Sequence, residues 1–210
     1  MIETLIKPEN DIFPNRKRTT RTVRDFLVKN GLLTERHELI DGVIILKMPM
    51  KPPHRIALMR LQKWLILLFG FDFVQSEKPI LLPGPTGETT EPEPDIAITR
   101  EPSDDYAENN PGPQDILLVA EVFDTTLRSD LETKALLYAR VGIPEYLVLD
   151  VVARQIHRHR QPTHDGYSEI IILTENLNLS LLNRSETIQV GDLFPALPVA
   201  SASRSLDSGV

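Results

Sequence analysis

The sequence predicts a mixed α/β (α+β) domain, a mixed β-sheet flanked by helices, and three observations carry that expectation. Two segments, 52–69 and 127–142, repeat inward-facing positions at three- and four-residue intervals, as a helix with one buried stripe does. Short runs rich in Val, Ile and Leu, separated by turns rich in Pro, Gly and acidic residues, read as strands. Along the chain the order is helix, strands, helix, strands, a pattern that suits one mixed sheet with helices packed on it.

At 210 residues, with 41% hydrophobic and 25% charged residues, the chain suits a soluble globular protein with a sizeable core. We expect an N-terminal arm over 1–18, where Pro8, Pro14 and the basic run "RKR" show no periodicity, a single domain over 19–199, and a polar tail over 200–210. No cysteine is present, which excludes disulfides, thiolate metal sites and a cysteine nucleophile. The densest apolar stretch, "WLILLFGF", is too short to cross a bilayer, and the first residues lack the basic-then-apolar order of a signal peptide; a cytoplasmic protein with no membrane partner is expected. The net charge of −7 argues against non-specific coating of nucleic acid but leaves room for a local basic groove.

"TTRTVRDFLVKNGL" has threonine caps, apolar residues at 23, 26 and 27 and a glycine stop, the marks of a short helix. "HELIDGVIILK" sets Asp41-Gly42 between two apolar runs, a hairpin signal because both residues tolerate positive φ. "PPHRIALMRLQKWLILLF" opens on two prolines and carries apolar residues at 58, 61, 65 and 68; His54 falls on the same stripe of this helix. "FDFVQSEKPILL", "PDIAIT" and "ILLVAEVF" follow as strands, with a long loop over 100–114 between the last two. "LRSDLETKALLYARVG" is a helix closed by Gly142 and Pro144, and "EYLVLDV", "QIHRHR" and "SEIIIL" complete the strands.

Charged residues interrupt these patterns at three places. In "ILLVAEVF", Glu121 shares a face with Leu117, Val119 and Phe123, while Ile116, Leu118, Ala120 and Val122 line the other. Both faces are apolar, so the strand is central and an acid on it is anomalous; alone, Glu121 is a solvent-facing strand end, a salt-bridge partner or a functional group. Lys134 completes the inward stripe of Leu127, Leu131, Tyr138 and Val141, so it aims at the sheet unless it pairs with Asp130 or lays its stem along apolar surface. Asp95 follows Pro94 at the entrance of its strand and, alone, is a plain strand-start residue. Together, two carboxylates on neighbouring strand ends are hard oxygen ligands of the kind Mg²⁺ takes. A nearby lysine can orient or deprotonate a water, or stabilise a charged phosphate. The set suits phosphodiester hydrolysis, with Glu121 kept ionised by a shared metal and a cationic neighbour.

"ELIDG", then "EPD" opening a strand, then "LVAEVFDTTLRSDLETKALLYARVGIPEYLVLD", resembles the Uma-two (Uma2) family of restriction-endonuclease-like proteins, a branch of the PD-(D/E)XK nuclease superfamily, over about residues 20–195. The resemblance implies a restriction endonuclease-like core and a metal-dependent endonuclease acting on DNA, with Mg²⁺ or Mn²⁺ as cofactor. It matches Asp95 to the signature aspartate and Glu121 to the acid of (D/E)XK, both as metal ligands. Val122-Phe123 stand where the simple motif carries X-K, and Lys134 matches the branch in which the lysine sits on the following helix. Glu38 matches a further recurring position, an outer metal ligand, and His54 another, a phosphate or water contact. Analogy with restriction-type nucleases implies a homodimer, whose two-fold matches duplex DNA. The alternatives are a catalytically silent nucleic-acid or protein binding module on the same fold, and hydrolysis of a small phosphoester, since no base-reading motif is visible. The clusters "RKR" at 16–18 and "HRHR" at 157–160 are phosphate contacts or solvated surface.

Overall fold

A computed structural model describes residues 18–123 and 128–197, with only the backbone for 128–131. The expected arm other than Arg18, the expected tail, Leu127 and the Leu131 and Asp130 side chains lie outside that description. Helix α1 (Arg21–Lys29) starts where expected, with the Thr20 hydroxyl accepting the Val23 N–H at 3.3 Å. It buries none of its residues, and Phe26 is 60% exposed. Arg24 and Arg21 hold it instead, reaching Glu91 at 2.6 and 3.4 Å. Strands β1 (His37–Ile40) and β2 (Val43–Leu46) form the expected hairpin, closed by Asp41 and Gly42 at φ 48° and 74°. The hairpin is its own two-stranded sheet, bonded to the rest through the antiparallel contact of Leu39 with Glu91.

Helix α2 (Pro52–Phe69) buries Ala57, Leu61 and Leu65 fully, with Leu58 and Leu68 at the edges of the stripe. After it, the expected strand over 71–82 shortens to β3 (Val74–Ser76), because Phe71–Phe73 wind into a 3-10 turn and Glu77 takes φ 53°. Ile80 and Leu82 enter the core from irregular chain. A short helix, α3 (Gly84–Thr89), stands in the Pro/Gly-rich segment that reads as loop. In it, a Cβ on Gly87 would lie 2.0 Å from the Leu82 carbonyl oxygen. Gly87→Ala is therefore expected to cost about 1–3 kcal/mol in urea unfolding, because the backbone must move to accept one methyl group.

The remaining strands are β4 (Ile96–Thr99), β5 (Ile116–Phe123), β6 (Glu145–Asp150), β7 (Gln155–Thr163), β8 (Gly166–Thr174), β9 (Asn178–Ser180) and β10 (Thr187–Gln189), with helix α4 (Arg128–Arg140) between β5 and β6. The main sheet is six-stranded, in the order β3-β4-β5-β6-β7-β8. Only β5 and β6 pair in parallel, and α4 makes their crossover. β9 and β10, not anticipated from the sequence, form a second small sheet that packs Leu179 against the main core.

Both faces of β5 are covered, as its composition demands. Leu118, Ala120 and Val122 pack with α2 on one side; Val119 joins Tyr138 and Ala139 of α4 on the other. The simple alternation fails at the start of the strand. Thr99 pairs with Ile116 while Ile98 pairs with Leu118, so Leu117 is an extra residue, and the bulge turns Ile116 onto the face of Val119 and Leu117 onto the face of Leu118. From Leu118 onward the expected faces hold, and Glu121 points to the α4 side. Among the described residues no helix is long and apolar enough to cross a membrane.

Candidate active site

Antiparallel pairing of β4 with β5 sets Ile96 beside Ala120, which brings Asp95, just before β4, next to the end of β5. There its Oδ2 accepts the Val122 N–H at 2.9 Å, so the backbone of β5 fixes the carboxylate. Glu121 is 5% exposed. Lys134, from the inward face of α4, donates to both Glu121 oxygens at 2.9 Å and is ion-paired with Glu38 Oε1 at 2.9 Å. Lys134 is itself 7% exposed, so its head is not in water; it bonds across to the sheet and the hairpin.

Glu38 comes from β1 and is 4% exposed; its second oxygen accepts the Glu93 N–H at 3.3 Å. The hairpin thus contributes an acid to the same cluster. His54, in the first turn of α2, brings Nε2 to 3.9 Å from Asp95 Oδ2, and that nitrogen is buried without a hydrogen bond. The five residues singled out in the sequence all line one cleft of about 740 Å³, between the hairpin, α2, α4 and the strand ends. The cleft is of small-ligand size and open to solvent on one side.

The charge balance in the cleft depends on burial as well as on the lysine. Burial drives the Glu121 pKa up, Lys134 opposes it, and the neighbouring Glu38 and Asp95 carboxylates add to the rise, leaving it at about 7. Glu121 is therefore not simply held ionised by its lysine: one cation is shared among several acids, and desolvation outweighs its share. Burial also pulls Lys134 down, but Glu121 and Glu38 together outweigh that and leave its pKa above the ordinary lysine value. Lys134 stays charged, and the acids compete for it.

A pH dependence follows. Because the folded-state pKa of Glu121 lies above its unfolded value near 4.5, the native state binds the proton more tightly, and stability falls as pH rises from about 4.5 to about 7. The loss is on the order of 3 kcal/mol from this group. Glu121→Gln removes it, so urea unfolding should show the variant gaining on the wild type across that window; a constant difference would refute the buried-acid account.

Tyr138 is the site residue that the sequence pattern hides. It reads as one more apolar stripe position, yet its hydroxyl donates to Glu121 Oε1 at 3.1 Å in a fully buried setting. The signal was available: a tyrosine one turn after an inward lysine carries an O–H that needs a buried acceptor. It holds Glu121 from the core side while Lys134 approaches from the helix.

Comparison with known proteins bears on the family and the fold. Residues 32–197 match the model of the Uma2 family, described as "Putative restriction endonuclease". A crystal structure of "a putative nuclease belonging to DUF820" from Anabaena variabilis superposes with a TM-score of 0.59 at 14% identity, over 80% of this chain and 96% of that one, which shows a shared fold. No curated protein matches the chain. With its restriction endonuclease-like sheet and a family match that spans β1 to the residues beyond β10, the chain belongs to the Uma2 family, "Putative restriction endonuclease".

Proposed function

We propose that the protein is a Mg²⁺-dependent endonuclease, with Mn²⁺ as a substitute, that hydrolyses phosphodiester bonds in DNA. The observation that carries this reading is the convergence of Asp95, Glu121 and Glu38 in one open cleft, with Lys134 paired to both Glu121 and Glu38. Among the described residues no three ligating side chains already surround one point. The donors nevertheless fit a hard divalent ion, which takes one or two carboxylates and keeps waters for its other positions. Asp95 and Glu121 would hold it, and the unrelieved excess of carboxylate over lysine is the charge that such an ion balances. When bound, the ion would lower the pKa of a water and offset charge on the phosphate.

The protein's own groups divide the remaining work. Lys134 is hydrogen-bonded to both Glu121 oxygens and ion-paired with Glu38, and the same acids keep it protonated. It acts as a donor that orients the attacking water or stabilises phosphate charge, and not as the base that takes the proton. Tyr138 keeps Glu121 in place when a lysine N–H turns towards substrate. Asp95 is positioned by Val122 whether or not Lys134 moves. His54 lines the cleft from the first turn of α2, where a phosphate oxygen could reach it.

Purified protein should nick supercoiled DNA in millimolar Mg²⁺ and stop in EDTA. Calorimetric titration with Mn²⁺ distinguishes the reading from a silent binding module: absence of both metal binding and cleavage would overturn it.

A further inference from the structure

Eight of the twelve arginines with described side chains are ion-paired, in keeping with a chain in which 30 acids face 23 bases. Arg100 and Arg140 are among the four that are not, and they line the same cleft, about 410 Å³ in volume. Both are anchored. Arg100 donates through Nε to the Gln114 carbonyl at 2.8 Å, and its backbone N–H donates to the Asp115 carbonyl at 2.8 Å. Arg140, the last residue of α4, donates through Nε to the His164 carbonyl at 3.1 Å. Those bonds set each guanidinium plane and leave both terminal amino groups of each without a bonded partner among the described residues.

Pro83, Pro113 and Pro144 form much of the cleft's wall, and among the described residues no acid lines it. It opens where β5 begins at Ile116 and where the chain enters β6, the opposite end of the parallel pair from Glu121. Glu121 is five residue steps along the strand from Ile116, roughly 17 Å, so this cleft is not part of the acidic one. Two oriented forks with a joint charge of two match an oxyanion dianion, and a terminal phosphate monoester carries about that charge near neutral pH.

We propose that the cleft between Arg100 and Arg140 binds a terminal phosphate monoester, carried either by a small phosphorylated molecule or by the phosphorylated end of a DNA strand. This proposal does not depend on the nuclease reading. The test is a ¹H–¹⁵N NMR titration of the full chain in EDTA, so that no cleavage intervenes, with inorganic phosphate and with a short single-stranded DNA bearing either a 5′-phosphate or a 5′-hydroxyl. Saturable shifts are expected at the Arg100 and Arg140 Nε–H and at Gly142, with the 5′-hydroxyl strand inactive. Arg100→Gln and Arg140→Gln should each weaken binding roughly tenfold or more, the equivalent of losing one charge-assisted contact. Arg→Lys variants, which keep the charge and lose the fork, should fall between and serve if a glutamine variant unfolds. Tighter binding of the 5′-phosphorylated strand than of inorganic phosphate assigns the ligand to nucleic-acid ends; equal binding assigns it to a free small molecule. The proposal is overturned by non-saturating shifts, or by saturable shifts that survive at both arginine variants.

Discussion

Lys134→Met is expected to lower DNA cleavage by about 10²–10⁴ and to cost about 3–5 kcal/mol of stability near neutral pH. The two effects have one origin. Among the described residues the lysine is the only cation paired with both Glu121 and Glu38, and removing it leaves two buried carboxylates near each other. Without the lysine the Glu121 pKa must rise further, so the stability loss is present at pH 7 and shrinks as pH falls and the carboxylates take up protons. Urea unfolding at pH 5 and pH 7, with cleavage measured on folded protein, checks both halves. Cleavage equal to wild type would remove Lys134 from the mechanism, and a loss of stability that did not diminish at pH 5 would contradict the shared-cation account.

Asp95→Asn separates chemistry from folding more cleanly. The amide keeps an oxygen able to accept the Val122 N–H, so unfolding free energy should change by less than about 1 kcal/mol. The charge is lost at a proposed metal ligand, so Mn²⁺ affinity should drop by more than about 100-fold, beyond the range typical of outer-shell partners, and cleavage with it. Retained metal affinity with lost stability would make Asp95 a structural bracket between β4 and β5 and nothing more.

These variants are informative because the acids are tied to different parts of the fold. Asp95 belongs to the sheet, Glu121 and Lys134 to the strand and helix of the crossover, and Glu38 to a hairpin outside the main sheet. The hairpin is bridged to the segment before β4 by Leu39 and Glu91, and the same segment supplies Glu93, which bonds Glu38. Movement of the hairpin would therefore change how much of the Lys134 charge Glu121 receives.

Much of this was legible in the residues themselves. The inward aim of Lys134 follows from helix periodicity, the hairpin from Asp41-Gly42, and the central position of β5 from its two apolar faces; each is a local rule acting over a few residues. The bulge at Leu117 escaped that logic because a bulge depends on which residue of β4 pairs with which of β5, not on β5 alone. The role of Tyr138 escaped it because an inward tyrosine fits an apolar stripe and only the position of an acceptor shows what its hydroxyl does.

The sequence by itself determined which side chains face inward, where the chain turns, and that acids and a lysine interrupt apolar faces, since those properties depend on spacing along the backbone. The tertiary structure decided who shares the lysine and that burial pushes Glu121 up. Lys134 meets Glu38 only after the hairpin folds over the strand ends, and Glu121 is driven towards pKa 7 only when desolvation and two neighbouring carboxylates act on it together. Burial and non-local charge set those energies, and neither is written in any short stretch of the chain.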